Sequence, residues 1–209
     1  MKSRIVGSVL CLSLTSLAAN AAIENASWWD DNDKVLVCGG TSVITDQSGQ
    51  MSLSMTGNHK IADAGHMVGT ITTDTPDDPT LTLGSSVDND TGANWIGYRV
   101  NVYMNSFFTL KNSSITTPST WSQQSISQPI LDTSKNQYVV SMYFAGSPEI
   151  AVGESIEFSY QMVFSGKTSY AFTQEMIPVF ASAPEPSVFG MIGGLLVGGA
   201  GLLRLRKTS

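Results

Sequence analysis

The alternation of residues 156–164 constrains this chain more than any other feature. Ile156, Phe158, Tyr160, Met162 and Phe164 are apolar, and Glu157, Ser159 and Gln161 interleave them. Successive side chains of a strand point to opposite faces, so such a run buries one face and wets the other. Tyr98, Val100, Val102 and Met104 repeat the pattern, as do Tyr138, Val140, Met142 and Phe144, and more briefly Met51, Leu53 and Met55. Weaker strand signals cover 34–38, 43–45, 67–73, 80–83, 107–110 and 169–174. No stretch between residues 22 and 183 sustains a helical period. Turn clusters at 74–79, 88–92, 147–149 and 165–167 divide the runs, and 112–120 reads as a Ser/Thr-rich loop. Many short strands with regular turns predict an all-β fold, a single antiparallel β-sandwich, with jelly-roll and immunoglobulin-like arrangements both fitting.

The two ends of the chain are not part of that pattern. Lys2 and Arg4 precede an uncharged, largely apolar run over 5–17, and Ala19-Asn20-Ala21 supplies small residues around a cleavage point. This is the layout of a secretory signal peptide over 1–21, cut after Ala21. Cys11 falls inside it, and the large Leu10 before it argues against lipoprotein processing. At the other end, Pro184-Glu185-Pro186 stands before an uncharged run over 187–203, which Arg204, Arg206 and Lys207 stop. As a helix those 17 residues reach about 25 Å, a short transmembrane span. The basic end favours the cytoplasmic side, which leaves the bulk of the chain outside. Gly190, Gly194 and Gly198 share one helix face and read more readily as filler of a weak span than as a docking stripe.

Between the ends lie residues 22–183, one domain by length. Of the chain's 11 basic and 17 acidic residues, five basic and one acidic belong to the ends, which leaves the body at a net charge of −10. Nucleic acid binding needs the opposite balance, so no nucleic acid partner is expected. Cys38 is the body's one cysteine and cannot form an internal disulfide. It is expected as a small buried apolar residue, with an intermolecular disulfide as the alternative.

Residue types that carry chemistry are sparse. His59, Asp63 and His66 can be drawn as a metal cluster, but 58–65 reads as a surface loop and convergence is not expected. Asp88-x-Asp90-x-Gly92 resembles the opening of a calcium loop, yet lacks the next alternate ligand and the distal Glu; an Asx-rich turn explains it without metal. No cofactor and no metal are therefore expected. No Gly-x-Ser-x-Gly elbow supports a serine hydrolase, and paired carboxylates for glycoside hydrolysis have no signature in sequence. Trp28-Trp29, Trp95 and Trp121 are expected in packing, with an exposed aromatic face for sugar stacking as the alternative, Trp28-Trp29 lying near the mature N-terminus.

Taken together, the signal peptide, the Pro184-Glu185-Pro186 motif, the apolar run and the basic tail resemble the PEP-CTERM proteins, exported proteins of Gram-negative bacteria. The resemblance rests on residues 184–209. A second, weaker likeness to bodies of that family lies in the polar turn at Asn89, Thr91 and Gly92 leading to Trp95 and Tyr98, and in Gly153 through Phe158. The resemblance implies passage through a secretion translocon and recognition and cleavage by a membrane-embedded exosortase. It also implies transient anchoring in the inner membrane, then residence in the cell envelope or outside the cell, among exopolysaccharide or biofilm. It assigns no activity to the body. The expectation is a non-enzymatic envelope or matrix protein, with a glycan-binding module of the matrix or a secreted hydrolase as alternatives.

Overall fold

The computed structural model describes residues 22–45, 50–77, 79–111, 115–117 and 120–181. Among them the chain forms twelve strands: β1 (Ile23–Asp30), β2 (Leu36–Thr45), β3 (Met51–His59), β4 (Gly65–Thr73), β5 (Thr80–Asn89), β6 (Trp95–Met104), β7 (Phe108–Leu110), β8 (Trp121–Ile126), β9 (Ile130–Asp132), β10 (Gln137–Ile150), β11 (Ser155–Phe164) and β12 (Ser169–Phe180). No helix among the described residues is long and apolar enough to cross a membrane. The expected signal peptide with Ala19 and Ala21, the sorting motif at Pro184, Glu185 and Pro186, the span 187–203 and the stop at Arg204, Arg206 and Lys207 lie outside the described residues.

The strands form two sheets. One runs β1-β4-β12-β6-β10-β8, with β9 added beside β10; the other runs β2-β3-β5-β11-β7. Pairing is antiparallel except between β3 and β5, which run parallel from Met51 opposite Leu81 to His59 opposite Asn89. That pair departs from the all-antiparallel expectation. It arises because β4 leaves for the other sheet between β3 and β5, so β5 re-enters beside β3 in the same direction. The pairings β4·β12, β5·β11 and β6·β10 are nested, each inner pair lying between the members of the outer one in sequence.

The alternating runs supply the facing surfaces. Val100, Val102 and Met104 of β6, Met142 and Phe144 of β10, and Phe158, Tyr160 and Met162 of β11 are all buried. Phe144 and Phe158 meet across the two sheets with ring centroids 5.5 Å apart, and Tyr98 lies 6.0 Å from Phe158. Rings at such separations add about 1 kcal/mol each beyond their area burial. One polar bridge crosses the same interior: Tyr160 Oη donates to Gln174 Oε1 at 2.5 Å, and Gln174 Nε2 donates to Ser85 Oγ at 3.1 Å. Gly69 of β4 stands opposite both Trp28 and Phe172. A Cβ there would strike the Phe172 ring, which packs toward Trp28 at 6.2 Å.

Several sequence expectations need adjustment. The N-terminal strand β1 and the strands β8 and β9 carry no clean alternation and were not anticipated. Runs 34–38 and 43–45 are one strand, β2, whose register shifts between Cys38 and Gly40. The cluster at Ser147, Pro148 and Glu149 is not a turn between strands. It is an irregularity within β10, whose pairing with β6 shifts between Ala145 and Ile150 and which holds a cis Ser147-Pro148 bond. Within the expected loop 112–120, Thr116 bridges to Ser159 beside the five-stranded sheet.

Candidate functional site

The outward face of the seven-stranded sheet gathers ionisable and aromatic side chains in adjoining rows. Register places His66 of β4 opposite Glu175 of β12, Glu175 opposite Asn101 of β6, and Asn101 opposite Ser141 of β10. The next row holds Trp29, Val68, Thr173 and Tyr103. Trp29 is 45% exposed, while Trp28, Trp95 and Trp121 are buried. Period two on β1 explains the split of the Trp28-Trp29 pair: one indole joins the core and the other faces water.

The turn that follows β1 completes the ionisable row. Asp30 Oδ1 accepts from the Asn32 amide, Asp31 Oδ1 from the Asp33 amide, and Asp33 Oδ1 from the amides of Val35 and Leu36. Asn32 and Lys34 take left-handed conformations, at φ 63° and 67°. Asp side chains favour such turns because one oxygen replaces a backbone acceptor. The other oxygens, Asp31 Oδ2 and Asp33 Oδ2, each lie 3.3 Å from His66 Nδ1. On the far side of the ring, Nε2 faces Glu175 Oε1 at 3.4 Å. Glu175 Oε2 accepts from Asn101 Nδ2 at 2.5 Å and from Tyr103 Oη at 3.2 Å. Burial, followed by the charge of Glu175, pushes the Tyr103 phenol up to about 12. Lys135 Nζ sits 4.3 Å over the Tyr103 ring. Burial opposes ionisation of Asp33, but the Val35 amide, His66 and the Leu36 amide together hold its carboxyl below the usual range.

The cluster drawn from sequence as His59, Asp63 and His66 does not form. His59 ends β3 and is fully buried, whereas His66 sits on the outward face of β4; neither is a loop residue. The His59 Nε2–H donates to the Asp63 carbonyl at 2.8 Å, and Nδ1 accepts from Tyr98 Oη at 3.1 Å. Burial holds its pKa below the ordinary histidine value. The residues that do meet His66 come from the Asp30-Asp31-Asn32-Asp33 run and from β12. The residues at 30–33 are plainly acidic, but only the pairing of β1, β4 and β12 brings them to His66.

The calcium-like motif is occupied by protein. Asp90 Oδ2 binds Lys60 Nζ at 2.5 Å and Asn58 Nδ2 at 2.9 Å, and Asp88 Oδ1 accepts from Ser155 Oγ at 2.5 Å. Between them, buried Asn89 ties the turn: its Nδ2 donates to the carbonyls of Ala93 and Ile150, and its Oδ1 accepts from Thr91. Trp95 Nε1 closes the network on Thr91 Oγ1 at 3.0 Å. Cys38 is half-buried against the core on β2, and burial raises its thiol pKa, as does the Asp30 carboxylate. A thiolate is disfavoured there.

The opposite outer face is different in kind. Ser54, Gly84, Ser159 and Thr116 follow one row across β3, β5, β11 and the Thr116 bridge. They line an open groove of ≈ 490 Å³ in which Glu157 is the one ionisable residue among those described. Among the described residues this surface offers hydroxyl groups and no paired acid and base. No protein-family model, curated protein or solved structure matches the chain.

Proposed function

We propose that this is an exported, non-enzymatic jelly-roll protein of the cell envelope or extracellular matrix. It enters through the translocon, is held transiently in the inner membrane, and is released or transferred when an exosortase cuts at its C-terminal sorting signal. The observation that carries this reading is where the sheets begin and end. Among the described residues the first strand starts at Ile23, two residues after Ala21, and the last ends at Phe180, four residues before Pro184. The twelve described strands pair with one another in two sheets, and that pairing can persist when both signals are removed. The nested pairs β4·β12, β5·β11 and β6·β10 support the jelly roll over an immunoglobulin-like arrangement, because such nesting is what a long hairpin gives when rolled into two facing sheets.

The test is mass spectrometry of the mature protein from producing cells, beside a Pro184→Ala, Pro186→Ala variant. The expected wild-type product starts at Ala22 and ends near Pro184, while the variant keeps its tail and stays in the membrane fraction. Identical processing and fractionation of the two would overturn the reading.

A second reading, a glycan-binding module of the matrix, is favoured by Trp29. Its open indole stands one row from the polar groups of Glu175, Asn101 and His66. An apolar ring face beside hydroxyl-binding groups suits a sugar ring, and losing such a ring typically costs about 1–2 kcal/mol, or roughly tenfold in affinity. Retention on the producing cell's own polysaccharide should fall by that factor in Trp29→Ala. Equal retention would remove this reading and leave the first intact.

A further inference from the structure

We propose that Asp31, Asp33 and His66 form a binding site for a divalent transition-metal ion of the zinc type, with Glu175 as the residue that orients the imidazole. The donor atoms are Asp31 Oδ2, Asp33 Oδ2 and His66 Nδ1, all within 4.8 Å of one another. The two N···O separations are 3.3 Å each. Ligands about 2.0–2.1 Å from a tetrahedral Zn²⁺ stand roughly 3.3–3.4 Å apart, so both separations match an edge of that tetrahedron. One imidazole nitrogen with two carboxylate oxygens suits Zn²⁺ better than Ca²⁺, which takes six to eight oxygen ligands.

The two aspartates are positioned before any ion arrives. Each commits Oδ1 to backbone amides of the turn, which aims its Oδ2 at His66. The imidazole is positioned from its other side. Glu175 Oε1 faces Nε2, while Glu175 Oε2 is itself held by Asn101 and Tyr103. A carboxylate behind a metal-binding histidine fixes the proton on the distant nitrogen and leaves the near one free to ligate. With the proton on Nε2, the Nδ1 lone pair faces two carboxylate oxygens, three acceptors without a donor between them. A cation resolves that repulsion. The side chains of His66, Asp31 and Asp33 are 31%, 32% and 25% exposed, so an ion can enter and keep water as its fourth ligand.

The competing arrangement is an imidazolium paired with the carboxylates and no metal. To separate the two, the full chain, purified in detergent and stripped with chelator, is titrated with Zn²⁺ by calorimetry. Cys38→Ser serves as the background, so that the thiol contributes nothing. One ion per chain is expected to bind. Asp33→Asn keeps the Oδ1 that accepts from Val35 and Leu36, so its melting temperature in chelator should match the parent while its Zn²⁺ affinity falls. His66→Asn should abolish saturable binding, and Glu175→Gln should weaken it 10- to 100-fold. Absence of saturable Zn²⁺ uptake, or uptake of unchanged affinity in His66→Asn, would overturn the proposal. Neither result bears on export or sorting.

Discussion

At His59 burial holds the imidazole neutral, outweighing the Asp63 carbonyl and the Asp33 and Asp63 carboxylates, which favour the charged form. The Asp63 carbonyl can only accept, so Nε2 carries the proton, and Nδ1 receives the Tyr98 hydroxyl. Protonating Nδ1 would turn two donors on each other beside the Trp95 ring, which stands edge-on at 5.8 Å. The folded-state pKa therefore lies below the unfolded value of about 6.5. Above about pH 6.5 neither state binds the proton and the full stability is present. As pH falls below that value the unfolded chain takes up a proton that the folded one refuses. Stability then declines by up to about 1.4 kcal/mol per pH unit until the folded pKa is reached. The lowered carboxyl of Asp33 acts separately, at and below the ordinary aspartate pKa of about 3.9. Urea unfolding between pH 8 and pH 5 should show this decline. His59→Gln should flatten it, and at pH 8 should cost about 1–3 kcal/mol, the usual range for disturbing buried hydrogen bonds. A slope in His59→Gln equal to the parent's would assign the pH dependence to other groups.

Single elements were far more legible in the sequence than the way they pair. β6, β10 and β11 announce themselves because each buries one clean face, and Tyr98, Met142 and Tyr160 all point inward as their spacing predicts. β2 reads as two segments in the sequence because Gly39 and Gly40 interrupt its apolar pattern, which extends over residues exposed on both faces. β1 gives no clear periodic signal because its burial pattern is irregular, with only Ala26 and Trp28 buried among the residues of Ile23–Asp30. The ionisable row illustrates the limit. Asp31, Asp33, His66 and Glu175 are polar residues at ordinary outward positions. Nothing in their spacing along the chain says that β4 lies between β1 and β12, which is what brings them together. Sheet order depends on long-range contacts whose loop-closure cost and burial gain no local pattern records.

At the scale of the molecule, the order β1-β4-β12 decides how the body carries a load. β1 and β12 are each antiparallel to β4, so they run in the same direction on either side of it. The start of β1 lies by Thr73 and the start of β12 by Thr72, while β12 ends with Phe180 at the opposite end of the strands, beside Trp95. Tension between Ala22 and Ala181 therefore acts along the strands and stretches the rungs of both β4 ladders at once. Tension between Asn94 and Ala181 acts across the β6–β12 ladder and opens its rungs one after another. Single-molecule pulling should give a markedly higher rupture force for the first pair of handles than for the second; equal forces would refute this geometry. A protein tethered by its C-terminus and gripped through β1 would thus be loaded in shear, the direction in which a sheet yields last.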